Sequence, residues 1–188
     1  TAVLTLGAHR TRLMNVIASL TKSIPVITLD EVSTLKLADV PGVTETTTDS
    51  NSECALLYTS GSTGKPKGCL LNNDYFLQQG VWYQNLGGHI DLREGRERLL
   101  TPLPLSHMNA MSVSTMAMFM TGGCLIQLDR IHPGTWWQSL RDSKATAIHY
   151  LGVLPAILLA LPEDSQDDFS TQIRFGFGAG VNPAHHER

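Results

Sequence analysis

Ala55-Leu56-Leu57-Tyr58-Thr59-Ser60-Gly61-Ser62-Thr63-Gly64-Lys65-Pro66-Lys67-Gly68 runs from an apolar stretch into a turn of hydroxyls, glycines and lysines. The apolar part predicts a buried strand, and the glycines mark the loop that it enters. Glycine lets a backbone turn tightly and bring its N–H groups against a ligand with no Cβ in the way. Successive inward amides of this kind make a concavity for anions. Thr59, Ser60, Ser62 and Thr63 add hydroxyl donors, and Lys65 and Lys67 add the positive charge that suits a polyphosphate. A Ser/Thr/Gly-rich loop after a strand is usually only a loop. The lysine pair and the length of the hydroxyl run argue for more here. A Walker A loop is excluded, because Lys65 is followed by Pro66 and Thr59 stands where that motif needs glycine.

Working outward, strands and helices alternate. Residues 2–6 read as a buried strand, and Arg10–Leu20 places Leu13, Val16, Ile17 and Leu20 at helical spacing. Pro25–Leu29 reads as a second strand, so the first 42 residues predict a βαβ unit with parallel pairing. Residues 43–53 are Thr, Ser, Asp and Asn with almost nothing apolar, the composition of a solvated linker. Beyond the glycine loop, Asn72 or Asn73 caps a helix through Tyr75, Phe76, Val81 and Trp82 to Gly87-Gly88. Then come a strand at Arg98–Leu103, a largely apolar and therefore buried helix at Met108–Met120, and a strand at Gly123–Leu128. A helix follows at Pro133–Lys144, a strand at Ala147–Leu151, a short helix at Leu154–Leu161, and a strand at Ile173–Phe177 entering Gly178-Ala179-Gly180. The class is α/β, with mixed, largely parallel sheets flanked by helices.

Composition removes several functions. A net charge of -3 with no basic cluster lacks the footprint of a nucleic-acid binder. Cys54, Cys69 and Cys124 are odd in number and widely spaced, which argues against a disulfide framework and for a reducing, cytoplasmic setting. The longest apolar run, Leu151–Leu161, is too short for a transmembrane segment. Charged residues make up 16%, against about 25% in typical soluble domains, so some of this surface is expected to meet further protein. With no initiator Met and an end at Pro183–Arg188 that reads as a helix start, the chain is expected to be an internal piece of a larger protein.

Tyr58–Gly68 resembles, residue for residue, the phosphate-loop signature of the adenylate-forming superfamily, which contains acyl-CoA synthetases, peptide-synthetase adenylation domains and luciferases. The resemblance implies the layered N-terminal domain of an acyl-CoA synthetase, without the C-terminal domain. It also implies that Ser60, Gly61, Ser62, Thr63, Gly64 and Lys67 contact the phosphates of ATP, with Thr59 helping to ligate Mg²⁺. Pro102-Leu103-Pro104-Leu105-Ser106-His107-Met108-Asn109-Ala110 is similar to the family's second signature, in the form found in acyl-CoA ligases. It implies that His107 borders the carboxylate and adenylate, acting in catalysis together with Lys67. A buried His satisfied by backbone is the rival reading. Met108 and Met111 would line an acyl pocket, with core packing as their rival. Phe175-Gly176-Phe177-Gly178-Ala179-Gly180-Val181-Asn182-Pro183 resembles the family's strand-to-helix turn, where Gly178, Ala179 and Gly180 would pack against adenine and the acyl group. Its last four residues depart from the usual Ala-Pro-Leu and suggest the carnitine/crotonobetaine-CoA ligase branch.

The activity implied is a ligase of fatty-acid-type metabolism acting on a small-molecule carboxylate: ATP gives an acyl-adenylate and pyrophosphate, then CoA gives the thioester. A homodimer is one assembly that the resemblance allows. Rival readings are an adenylation domain loading a carrier protein and a non-catalytic nucleotide-binding module. The family's Thr-Glu motif, ribose-holding Asp, hinge and C-terminal Lys are expected beyond Arg188, so these residues alone should show little or no catalysis. His185-His186-Glu187 invites a metal, but no further ligand stands at a suitable spacing, and exposed helix-start residues are the better reading. Trp136-Trp137 reads as helix packing or a subunit contact.

Overall fold

The computed structural model describes residues 2–35, 47–61 and 64–185, which fall into two compact units, Thr1–Thr47 and Thr48–Arg188. The first unit is the expected βαβ. Strand β1 (Val3–Thr5) is followed by α1 (Arg10–Ile17) and by β2 (Val26–Thr28), which pairs parallel to β1 with Val3 opposite Val26. Leu13 and Ile17 half-bury the inner face of α1, whereas Val16 and Leu20 stay in water. The expectation that residues 2–6 are buried is corrected, since Leu4 and Leu6 are exposed. One short helix covers one face of a two-stranded sheet, and alternate side chains of β1 point to the other. At the start of α2 (Leu29–Val32) the Thr28 N–H donates to Glu31 Oε2 at 2.9 Å. That bond, then the Arg10 guanidinium, hold the Glu31 carboxyl down at about 2.

The second unit opens with a β-hairpin. Residues 49–52 form a turn in which Asp49 Oδ1 accepts from the Asn51 N–H and the Ser52 hydroxyl; residues 43–46 of the expected linker lie outside the described residues. Strand β3 (Glu53–Thr59) pairs antiparallel with β4 (Lys67–Asn72), with Leu57 opposite Cys69 and Thr59 opposite Lys67. The second strand was not expected from the sequence. Nor is Ala55–Tyr58 buried: Leu56 is 49% exposed, Tyr58 69%, and Leu70, opposite Leu56, 62%. Alternation puts Ala55 and Leu57 on the half-covered face of the ribbon and Leu56 and Tyr58 on its open one. Helix α3 (Asn73–Gln84) follows directly, capped as expected by Asn72, whose Oδ1 accepts the Tyr75 N–H at 2.9 Å.

The remainder is a four-stranded, all-parallel sheet. Its strands β5 (Arg98–Thr101), β6 (Cys124–Gln127), β7 (Ala147–Leu151) and β8 (Phe175–Ala179) lie in the order β6-β5-β7-β8. The helix expected over Met108–Met120 is a π-helical turn, Asn109–Ser114, running into α4 (Thr115–Thr121). Ala117 and Met118 are buried but Phe119 is 72% exposed, so this helix is covered on one side only. Helices α5 (Trp136–Ser143) and α6 (Val153–Leu159) complete the unit. Side chains alternate cleanly across the sheet. Leu99, Ala147 and Phe175 pack with Tyr83, Ala117 and Met118 of α3 and α4, while Leu100 and Ile148 pack with Trp136, Leu140 and Leu154 of α5 and α6. Helices on both faces of a parallel sheet bury both sets. At the amino ends of the strands, buried Glu97 takes hydrogen bonds from Arg93, Arg174 and Thr146. Burial alone would raise this carboxyl; Arg93, Thr146 and the Arg174 charge outweigh it and hold it below the usual range.

Trp136 is core, and Trp137 stacks on Phe169 at 5.4 Å, so the pair serves helix packing. His185 closes a 3₁₀ turn with its N–H on the Asn182 carbonyl; His186 and Glu187 lie outside the described residues. Among the described residues no group of His, Cys, Asp and Glu could hold a metal, and no helix is long and apolar enough to cross a membrane. All three cysteines are free thiols.

Candidate active site

A parallel sheet whose strand order reverses leaves a crevice at the carboxyl ends of its strands. Here the chain leaves β5 for β6 on one side and returns to β7 on the other. The carboxyl ends of β5, β7 and β8 lead into Pro102, Gly152 and Gly180. The ends of β5 and β7, with the segment 129–131 that follows β6, frame a cleft of about 500 Å³ whose walls include Pro102, Pro104, Arg130, Leu151 and Val153. Its proline segment is fixed by Leu103, whose N–H donates to Thr101 Oγ1 at 3.2 Å and whose carbonyl accepts from Gln127 Nε2 at 2.7 Å.

His107 follows, its N–H closing a turn onto the Pro104 carbonyl at 2.9 Å and its own carbonyl accepting the Met111 N–H at 3.0 Å. The side chain is exposed, which removes the reading of a buried, backbone-satisfied histidine. Met108 and Met111 are half-buried. Gly178, Ala179 and Gly180 lie exposed along the same edge, at the end of β8. A ring does lie close on this strand, and it belongs to the protein: Tyr150 of β7 covers Gly176 and Gly178, where a Cβ on Gly178 would sit 2.6 Å from it. The two strand ends also meet. The Gly152 N–H donates to the Ala179 carbonyl at 2.8 Å, and a Cβ on Gly152 would stand 1.8 Å from the Gly180 oxygen.

The phosphate-type turn belongs to the hairpin, not to this sheet. Cross-strand pairing sets Thr59 beside Lys67 at its mouth. Gly61 has φ +60°, and a Cβ there would lie 2.4 Å from the Lys65 carbonyl oxygen, so the turn requires glycine. The Gly64 N–H reaches the Gly61 carbonyl at 3.3 Å. Thr59, Ser60, Gly64, Lys65 and Lys67 are all exposed, and among the described residues neither lysine forms an ion pair. Ser62 and Thr63 lie outside the described residues.

Three features escaped sequence reading. Gly152 and Tyr150 owe their constraint to β8, which is distant in sequence. The third is a buried polar row behind the His107 segment. His149 Nδ1 lies 2.7 Å from Ser114 Oγ, and its Nε2 lies 2.7 Å from Tyr83 Oη. Burial pushes the His149 imidazole down to about 3, and burial, then the Glu97 charge, push the Tyr83 phenol up. A lone polar residue in an apolar strand was the available signal for His149.

The sequence profile of the AMP-binding enzyme family matches residues 3–188. Sulfoacetate–CoA ligase of Cupriavidus necator is 33% identical over 135 residues, covering 70% of this chain and 25% of that protein. The medium/long-chain-fatty-acid–CoA ligase FadD6 of Mycobacterium tuberculosis is 28% identical over 127 residues, covering 68% and 21%. The chain thus spans about a quarter or less of the length of these relatives. Among solved structures, the inhibitor-bound N-terminal domain of FACL13 from M. tuberculosis superposes with a TM-score of 0.77 at 21% identity, covering 100% of this chain and 47% of that one. O-succinylbenzoate coenzyme A synthetase (MenE) from Bacillus subtilis, in complex with AMP, gives 0.70 at 24% identity, covering 94% and 42%. The fold is that of acyl-CoA synthetase N-terminal domains. With the profile running from Val3 to Arg188 over the hairpin turn, the proline–histidine segment and the glycine strand, the chain belongs to the AMP-binding enzyme family.

Proposed function

We propose that the whole protein is an AMP-forming acid–thiol ligase. A carboxylate oxygen attacks the α-phosphorus of ATP, the bond to the bridging oxygen breaks, and pyrophosphate leaves. The thiolate of CoA then attacks the acyl carbon of the adenylate and AMP departs. Attack at phosphorus needs little covalent help from a protein, so alignment and charge neutralisation dominate. The observation that carries the reading is the exposed hairpin turn, with its left-handed Gly61, its exposed Thr59 and Ser60, and two lysines that form no ion pair among the described residues. This suits a polyphosphate, whose oxygens accept from hydroxyl donors and pair with exposed cations. Lys67, Ser60, Gly61 and Gly64, with Ser62 and Thr63, would hold the leaving pyrophosphate. Thr59 offers one hydroxyl oxygen, which fits Mg²⁺ because that ion takes most of its ligands from phosphates and water. When bound, Mg²⁺ would neutralise phosphate charge. His107 would border the carboxylate, Met108 and Met111 the acyl chain, and Ala179–Gly180 the adenylate.

Free thiols at Cys54 and Cys69, both exposed, support a cytoplasmic setting. The test is carboxylate-dependent exchange of labelled pyrophosphate into ATP by the whole protein, scanned over fatty and short polar acids. Lys67→Ala should slow exchange by about 10- to 100-fold, the loss of one charge-assisted contact in the transition state. Exchange that survives Lys67→Ala unchanged removes the turn from the chemistry. Thioester formed with CoA, and none with a carrier protein, is the outcome expected for the second step.

A further inference from the structure

We propose that His149 is a positioning residue: it fixes the π-helical turn Asn109–Ser114, and through it the placement of His107, Met108 and Met111 against the acyl substrate. The acyl side of this inference rests on the ligase reading above; the geometry of the row does not.

The hydrogen bonds form one directed relay. Ser114 Oγ lies 3.2 Å from the Asn109 carbonyl and 2.7 Å from His149 Nδ1, and the hydroxyl has a single proton. If that proton goes to the Asn109 carbonyl, the oxygen must accept from Nδ1–H. A neutral imidazole carrying its proton on Nδ1 leaves Nε2 as an acceptor, and the Tyr83 O–H stands 2.7 Å away to fill it. Tyr83 gives to His149, His149 to Ser114, and Ser114 to the backbone five residues earlier. In the opposite direction, Ser114 gives to Nδ1 and Nε2–H gives to Tyr83, which leaves the Tyr83 proton with no acceptor among the described residues. A charged imidazolium strands it in the same way. Tyr83 and His149 are 0% and 1% exposed, so bulk water does not reach the pair. An unmet buried donor is costly, and the relay therefore holds one tautomer.

The relay ends where the backbone most needs support. A π turn is a rare and poorly self-sustaining conformation, found mostly as single turns near functional sites. Here the Thr115 N–H reaches back to the Ala110 carbonyl, the five-residue span of that turn, and Thr115 Oγ1 meets the same carbonyl at 2.7 Å. His107 bonds into the turn through Met111, and Met111 lies inside it. Relaxation to α-helical pitch would absorb the extra residue and swing the side chains ahead of it by about 100°, one residue's rotation. His149 prevents this from the middle of β7, with the α3 tyrosine behind it.

The experiment compares unaltered protein, His149→Asn and His149→Leu in carboxylate-dependent pyrophosphate exchange by the whole protein. Asn keeps an N–H near the place of Nδ1–H; Leu keeps bulk without a donor. His149→Leu is expected to raise KM for the carboxylate about tenfold while KM for ATP stays within about twofold, and His149→Asn to recover most of the carboxylate KM. Equal rises in both KM values, or an unchanged carboxylate KM, overturn the positioning role. The nitrogen-15 shifts of His149 in unaltered protein need no variant: a neutral Nδ1–H ring supports the relay, and an Nε2–H ring or an imidazolium sinks it. Absence of exchange in the unaltered protein sinks the ligase reading and the acyl side with it, whereas the tautomer decides the relay independently.

Discussion

Gly61 carries the most informative backbone of the site. Its left-handed φ and the 2.4 Å that a Cβ would leave to the Lys65 oxygen tie the shape of the phosphate-type turn to the missing side chain. Gly61→Ala should cost the turn about 1–2 kcal/mol, the ordinary penalty of a side chain in that region. The turn is exposed and can relax without disturbing either core, so the melting temperature should move little while KM for ATP rises roughly tenfold. Steady-state kinetics at saturating carboxylate would show it; an unchanged KM means that ATP does not use this conformation. At this scale the sequence was most readable. Hydroxyl, glycine and lysine act through their own atoms, so eleven adjacent residues are enough to carry the proposed phosphate-binding reading. His149 was not readable in that way, because Tyr83 and Ser114 stand 66 and 35 residues away and only the fold brings them together.

Between elements, the junction of β7 and β8 is the tightest point of the site. Gly152→Ala would drive a methyl group into the Gly180 carbonyl, since the ladder bond to Ala179 holds the two backbones in place. Overpacking of this kind costs about 1–3 kcal/mol or more. The expected result is a lower denaturation midpoint together with a loss of exchange activity, because Gly180 directly follows the strand proposed to face the adenylate. A variant with native stability and native activity would mean that the two strand ends part freely. Most element positions were legible from periodicity, with strand ends displaced by one or two residues. Burial was less legible. Residues 2–6 and Ala55–Tyr58 are apolar enough to be core, yet each lies in a two-stranded sheet, and a sequence does not say how many layers will cover a strand. The segment Met108–Met120 reads as one helix because 3.6-residue spacing cannot register the side chains of Ser114 and Thr115 bonding five residues back.

Across the whole molecule, buried titratable groups set a pH dependence. The folded His149 titrates near 3 against an ordinary 6.5, so between those values the unfolded chain binds a proton that the folded one refuses. Stability is therefore fully present above about pH 6.5 and is lost on acidification, approaching about 1.4 kcal/mol per pH unit well inside that window. Glu97, held below its usual range, adds a loss in the same direction, beginning as the pH falls through the ordinary carboxylate range and continuing below it. Denaturant unfolding followed from pH 7 to 4.5 should show the His149 slope, and His149→Asn should flatten it. A slope unaffected by that replacement would place the acid sensitivity elsewhere.

The β3–β4 ribbon has a practical consequence. Leu56, Tyr58 and Leu70 form an oily panel on one side, and among the described residues each of its two strands pairs with only one neighbour. Unpaired strand edges beside a greasy surface are templates for adding another chain. A preparation limited to these 188 residues is therefore prone to stick to itself at the very hairpin that presents the glycine–lysine turn, and clumping there would mask the proposed ATP binding before any chemistry could be assayed.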